Sequence, residues 1–231
     1  GQVGSIVDGG GRVAGRWRGL GFITPLAFAV LASAVFSMGL GHYPLAPSEV
    51  LAVLWAALTG TESGQPPMAE TVVLAVRLPR VLAAMLVGAS LAAAGAAYQT
   101  LFRNPLASPA ILGVSSGAGF GAALAMLLSG SALAVQGAAF AGGLLAVGAA
   151  MLIAGRLGKG SALVMVLAGL VVSALFQALT SALKYVADPL DTLPAIVFWL
   201  LGSLGRVGTH DLAWAAPFAL AGMLALFLLR W

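Results

Sequence analysis

Chemistry on a substrate needs nucleophiles, acids, bases or metal ligands at workable spacings, and this chain offers few. It has no cysteine, which removes disulfides, thiolate metal sites and thiol nucleophiles. His42 and His210 lie singly at the ends of apolar stretches, where a lone histidine serves as a solvated or capping group more readily than as a ligand. No paired aspartate and no His-Glu-x-x-His occurs, so intramembrane proteolysis fits poorly. The glycine-rich tract around Ser116 and Gly119 has neither P-loop nor dinucleotide-binding spacing.

What remains are cations and neutral polar groups. Arg77-Leu78-Pro79-Arg80 sets two guanidinium groups around a proline at the start of an apolar stretch, and proline suits the first turn of a helix. The pair suits an external acidic partner, with snorkelling to lipid headgroups as the alternative. Gln177, Thr180, Ser181 and Lys184 recur at i, i+3, i+4 and i+7, one face of a helix. Such a stripe forms either the wall of a water-filled passage or a polar seam between helices. Asn104-Pro105 forces a tight, non-helical turn that could constrict the inner end of a pathway.

The elements that must position these groups are membrane helices. Of 231 residues, 61% are apolar and 8% charged, and the mean hydropathy is +1.04. Soluble domains run at about 45–50% apolar and about 25% charged, so no soluble core fits this chain. The same composition excludes a nucleic-acid-binding domain, and the net charge of +4 reads as topology signalling. A span needs about 20 apolar residues. Six stretches qualify, at residues 20–40, 81–102, 110–128, 133–154, 162–186 and 212–229. A shorter piece at 193–204 reads as an outer half-helix, and residues 1–19 as a cytoplasmic tail. Placing both termini in the cytoplasm puts Arg12, Arg16, Arg18, Arg103, Arg156, Lys159 and Arg230 inside and most acids outside. The expected fold class is all-α, a polytopic transmembrane helix bundle. Gly113, Gly117 and Gly121 recur every fourth residue, as do Gly88 and Ala92, which lets helix backbones approach closely. No acid falls inside a span, which weighs against proton- or sodium-coupled transport.

Arg77–Arg80, the run from Leu86 to Gly95, Tyr98-Gln99, Asn104 to Ala107, Pro109 and Leu112 to Ala118 together resemble one signature. It is that of the FecCD-type permease subunits of binding-protein-dependent ABC importers for iron–siderophore complexes, haem and cobalamin. Leu167-Ala168-Gly169 and the segment from Phe198 to Gly205 resemble it too, so the likeness runs in order over about residues 70–230. The resemblance implies a permease of roughly ten spans built as inverted repeats, of which residues 20–231 are the first part, incomplete at the C-terminus. It implies a homodimer in a bacterial inner membrane, with a cytoplasmic ABC ATPase and a periplasmic substrate-binding protein as partners, and no cofactor, metal or nucleic acid.

On the same ground Arg77 and Arg80 would dock the binding protein. Asn104, Leu106 and Ser161 would form the cytoplasmic gate, and Gln177, Thr180, Ser181 and Lys184 would line the pathway. The chain is then a transport subunit and not an enzyme. The alternatives are a non-transporting scaffold subunit and, below it, a secondary transporter.

Overall fold

The computed structural model describes residues 10–103, 108–158 and 161–229. They are helical, in the order α1 (Gly10–Gly39), α2 (Pro47–Thr59), α3 (Pro67–Thr71), a π-helical turn (Val72–Arg77), α4 (Leu78–Phe102), a 3-10 turn (Pro109–Leu112), α5 (Val114–Leu128), α6 (Ala132–Gly158), α7 (Ala162–Val186), α8 (Thr192–Leu201) and α9 (Thr209–Leu229). Four helical runs, Pro67–Phe102, Ala132–Leu157, Ala162–Val186 and Thr209–Leu229, are long and apolar enough to cross a membrane. The helices at 23–39 and 114–128 are apolar but shorter. With the 3-10 turn in front of it, α5 covers residues 109–128, where the apolar stretch 110–128 lies.

The residues divide into two compact units, one running to Ala84 and taking in Val207–Leu212, the other covering Met85–Arg206 and α9 from Ala213. In the first, α2 begins at Pro47, where the missing N–H costs nothing, and Glu49 accepts a hydrogen bond from the Ala46 N–H at 2.7 Å. Gly60, in the left-handed conformation, ends it. Val50, Val53 and Ala56 form the buried face of α2, and Val50 and Val53 pack with Met38 of α1 and Val73 of the π-helical turn.

The helix carrying the arginines starts earlier than its apolar pattern suggests. It runs from Pro67, so Arg77 lies within a 36-residue helical run and not at its beginning. Pro79 is fully buried and has no N–H to offer the preceding turn. The turn before it is widened, and the Leu78 N–H reaches the Val73 carbonyl five residues back.

In the second unit α5 is the central helix. Lipid tails are as apolar as leucine, so helices in a bilayer associate through close packing and not through a hydrophobic effect. The glycine stripe meets this need. A Cβ on Gly117 would lie 2.3 Å from the Gly142 carbonyl oxygen, and one on Gly121 would lie 2.0 Å from that of Ala138, both on α6. Gly113 faces α7, beside Ser173 and Gly169, and its φ of 77° turns the chain from the 3-10 turn into α5. Gly88 has nothing within 4 Å of where its Cβ would stand, and both Gly88 and Ala92 are exposed. Ile196, fully buried against Ala123 and Ala187, seats α8. No residue of α9 is buried among those described.

Candidate functional site

The two arginines come together on one groove of about 350 Å³, lined also by Ser37, His42, Tyr43 and Val76. The Arg77 side chain is half-buried and reaches across to the chain between α1 and α2. Its Nη1 donates to the Met38 carbonyl and its Nη2 to the Tyr43 carbonyl, the latter at 2.5 Å. Met38 belongs to the last turn of α1, whose carbonyls lack helical partners and carry the negative end of the helix dipole. A guanidinium is the natural cap for such an end. Arg80 is exposed. The spacing of the two arginines was legible in the sequence, but the part played by the Met38 and Tyr43 carbonyls was not. Those contacts cross 34 and 39 residues of chain, and backbone carbonyls leave no signature in residue types.

The polar stripe on α7 is divided by its surroundings. Thr180 is buried, and its hydroxyl donates to the Phe176 carbonyl at 2.8 Å. Gln177 and Ser181 are exposed, and Lys184 in the last turn is half-buried. The Ser181 hydroxyl donates to the Gln177 carbonyl at 3.0 Å, while Gln177 Nε2 donates to Ser116 Oγ of α5 at 3.4 Å, near the limit of a useful bond. One edge of the stripe is therefore a helix seam, and the rest is open polar surface. Ser116 joins it as a partner that the residue spacing on α7 alone could not reveal.

Of the three residues expected to form the cytoplasmic gate, Asn104 and Leu106 lie outside the described residues. The chain on either side is described. Helix α4 ends at Phe102, Arg103 takes a left-handed conformation with φ 47°, and Ser108 Oγ accepts the Ala110 N–H at 3.4 Å where the 3-10 turn begins. Ser161 is the exposed N-cap residue of α7. Its carbonyl accepts the Met165 N–H at 3.1 Å, and its hydroxyl makes no capping bond.

A second hollow of about 440 Å³ lies beside α8, with Gln136, Asp191 and Trp199 in its wall. Among the described residues no group of three or more His, Cys, Asp or Glu could hold a metal ion. Among the described residues the arrangement offers a groove with two cations, a polar helix face and close-packed helices.

Comparison with known proteins agrees with this inventory. The molybdate import permease MolB of Haemophilus influenzae is 37% identical over 204 residues, 88% of this chain and 60% of that protein. The cobalamin import permease BtuC of Halobacterium salinarum is 38% identical over 206 residues, 87% of this chain and 54% of that protein. The chain thus spans about 60% or less of the length of these relatives. Among solved structures, a transporter of the metal-chelate ABC type in an inward-facing conformation superposes with a TM-score of 0.72 at 33% identity, covering 87% of this chain and 59% of that one. The sequence profile of the FecCD transport family matches residues 29–231. An all-helical chain with membrane-length apolar helices and a match over nearly its whole length belongs to the FecCD transport family.

Proposed function

We propose that this chain forms the first part of the membrane pathway of an ABC importer in a bacterial inner membrane. The importer carries an iron–siderophore complex, haem or cobalamin inward. The observation that carries the reading is the FecCD match over residues 29–231. In this account six spans cross the bilayer with both termini in the cytoplasm, and the permease works as a homodimer. A periplasmic binding protein delivers the substrate to the groove at Arg77 and Arg80. A cytoplasmic ATPase switches rigid helix arrangements between outward and inward access. The pathway runs along Gln177, Thr180, Ser181 and Lys184, and the turn at Asn104 and Leu106 closes its inner end together with Ser161.

The open side of the α7 stripe supports the pathway reading, because exposed Gln177 and Ser181 are not consumed in packing within their unit. The scarcity of charge inside the spans, where Lys184 near the end of α7 is the exception, suits a wall that must release a bulky ligand, since a desolvated charge would hold it or be very costly. Selectivity then rests mainly with the binding protein.

The substrate is tested by uptake. The permease that carries this sequence is expressed with its ATPase and binding protein in a bacterium deleted for its own FecCD permeases, and labelled ligands are offered singly. Accumulation of a ferric siderophore, haem or cobalamin is expected. Accumulation of molybdate alone, the substrate named for one relative, would replace the chelate assignment with an oxyanion.

A further inference from the structure

Arg77 and Arg80 stand three residues apart on one helical run and line one groove, yet their surroundings differ. Both terminal nitrogens of Arg77 are engaged, one by the Met38 carbonyl and the other by the Tyr43 carbonyl. The backbone is shaped around this guanidinium. Gly41 takes φ 143°, a conformation open to glycine, and a Cβ there would lie 2.8 Å from Arg77 Nη2. Arg80 is exposed, and among the described residues no hydrogen bond or ion pair holds it.

We propose that the two arginines divide the work. Arg77 is a positioning residue that clamps the turn between α1 and α2, and Arg80 is the cation that meets an acidic side chain of the binding protein. The second half rests on the importer reading, and the first does not. For Arg77 to receive a carboxylate it would have to abandon two charge-assisted bonds and uncap α1. Arg80 gives up only water. The clamp also requires arginine specifically, since the planar fork reaches two carbonyls at once while a lysine ammonium is a single point of charge.

Phenylglyoxal, which condenses with free guanidinium groups, tests the clamp with no partner present. The permease is held in lipid nanodiscs and modification at each arginine is followed by mass spectrometry. Arg80 is expected to react at least about tenfold faster than Arg77, the factor set by first breaking a charge-assisted bond. Gly41→Ala, which puts a methyl group where the guanidinium lies, should bring the Arg77 rate up toward that of Arg80. Equal rates in the unaltered protein, or a faster Arg77, overturn the clamp.

Docking of the purified binding protein, measured against salt concentration, tests the division of labour. Arg80→Gln should flatten the salt dependence and Arg80→Lys should keep it, whereas Arg77→Lys should weaken docking and leave the salt slope intact. A slope flattened by Arg77→Gln and untouched by Arg80→Gln would reverse the assignment. If no binding protein docks on the unaltered permease, the importer reading fails, and the phenylglyoxal rates still decide the clamp.

Discussion

At Gly117 and Gly121 one hydrogen atom separates a close helix pair from a clash. The α6 carbonyl oxygens stand 2.3 and 2.0 Å from where their Cβ atoms would be, well inside van der Waals contact, so even alanine must push the backbones apart. Overpacking costs about 1–3 kcal/mol, and Gly121→Ala should fall at or above the upper end. Unfolding titrated with SDS in mixed micelles measures this. Gly88→Ala is the matched control, with open space around the site. It should change stability by no more than about 1 kcal/mol, in the direction of gain, because alanine favours a helix over glycine by that amount. A loss at Gly88 equal to that at Gly121 would show that close approach is not what the stripe provides. The spacing of Gly113, Gly117 and Gly121 was legible because small residues every fourth position have one geometric meaning on a helix. Which helix they meet was not legible. Gly88 and Ala92 carry the same spacing and are exposed, so the pattern states a capacity for contact and leaves the partner open.

At the scale of the element, α7 places four polar groups on one face and buries one of them. The chain contains no cysteine, so single-cysteine variants report one position each without background. Gln177→Cys and Ser181→Cys should be labelled rapidly by a charged, water-soluble thiosulfonate, which reacts with the thiolate. Leu175→Cys, on the opposite side of the helix, should be labelled several-fold more slowly, because a thiol facing lipid or protein stays protonated. Uniformly slow labelling would make the stripe a seam throughout and remove it from the pathway. The ends of α6, α7, α8 and α9 were readable from apolar runs bounded by glycine, proline and charge. The stretch 162–186 coincides with the helix Ala162–Val186, and the piece at 193–204 overlaps the helix Thr192–Leu201. The start of the arginine-bearing helix was not readable. The apolar stretch begins at residue 81, whereas Pro67 opens the helix and Pro79 is accommodated by the widened turn before it. A proline at a helix start and a proline just after a π-helical turn present the same residue to a sequence reading.

For the whole molecule, composition alone placed the chain in a bilayer, since no soluble core holds 61% apolar residues at this length. The family was legible in the run of motifs from Arg77 to Ala118, and the match over residues 29–231 agrees. Composition leaves the source of energy open, and here the physical argument is one of charge. Ion-coupled carriers need carboxylates at depth to bind and release protons or sodium, and the apolar stretches of this chain carry none. On the importer reading, work enters from the ATPase partner instead. The most direct measurement is uptake into proteoliposomes holding the permease that carries this sequence, its ATPase and its binding protein, with labelled ligand outside. Accumulation that requires ATP in the lumen and the binding protein outside, and that ignores an imposed proton gradient, is the predicted result. Uptake driven by the proton gradient without ATP would contradict the account and make the protein a secondary transporter.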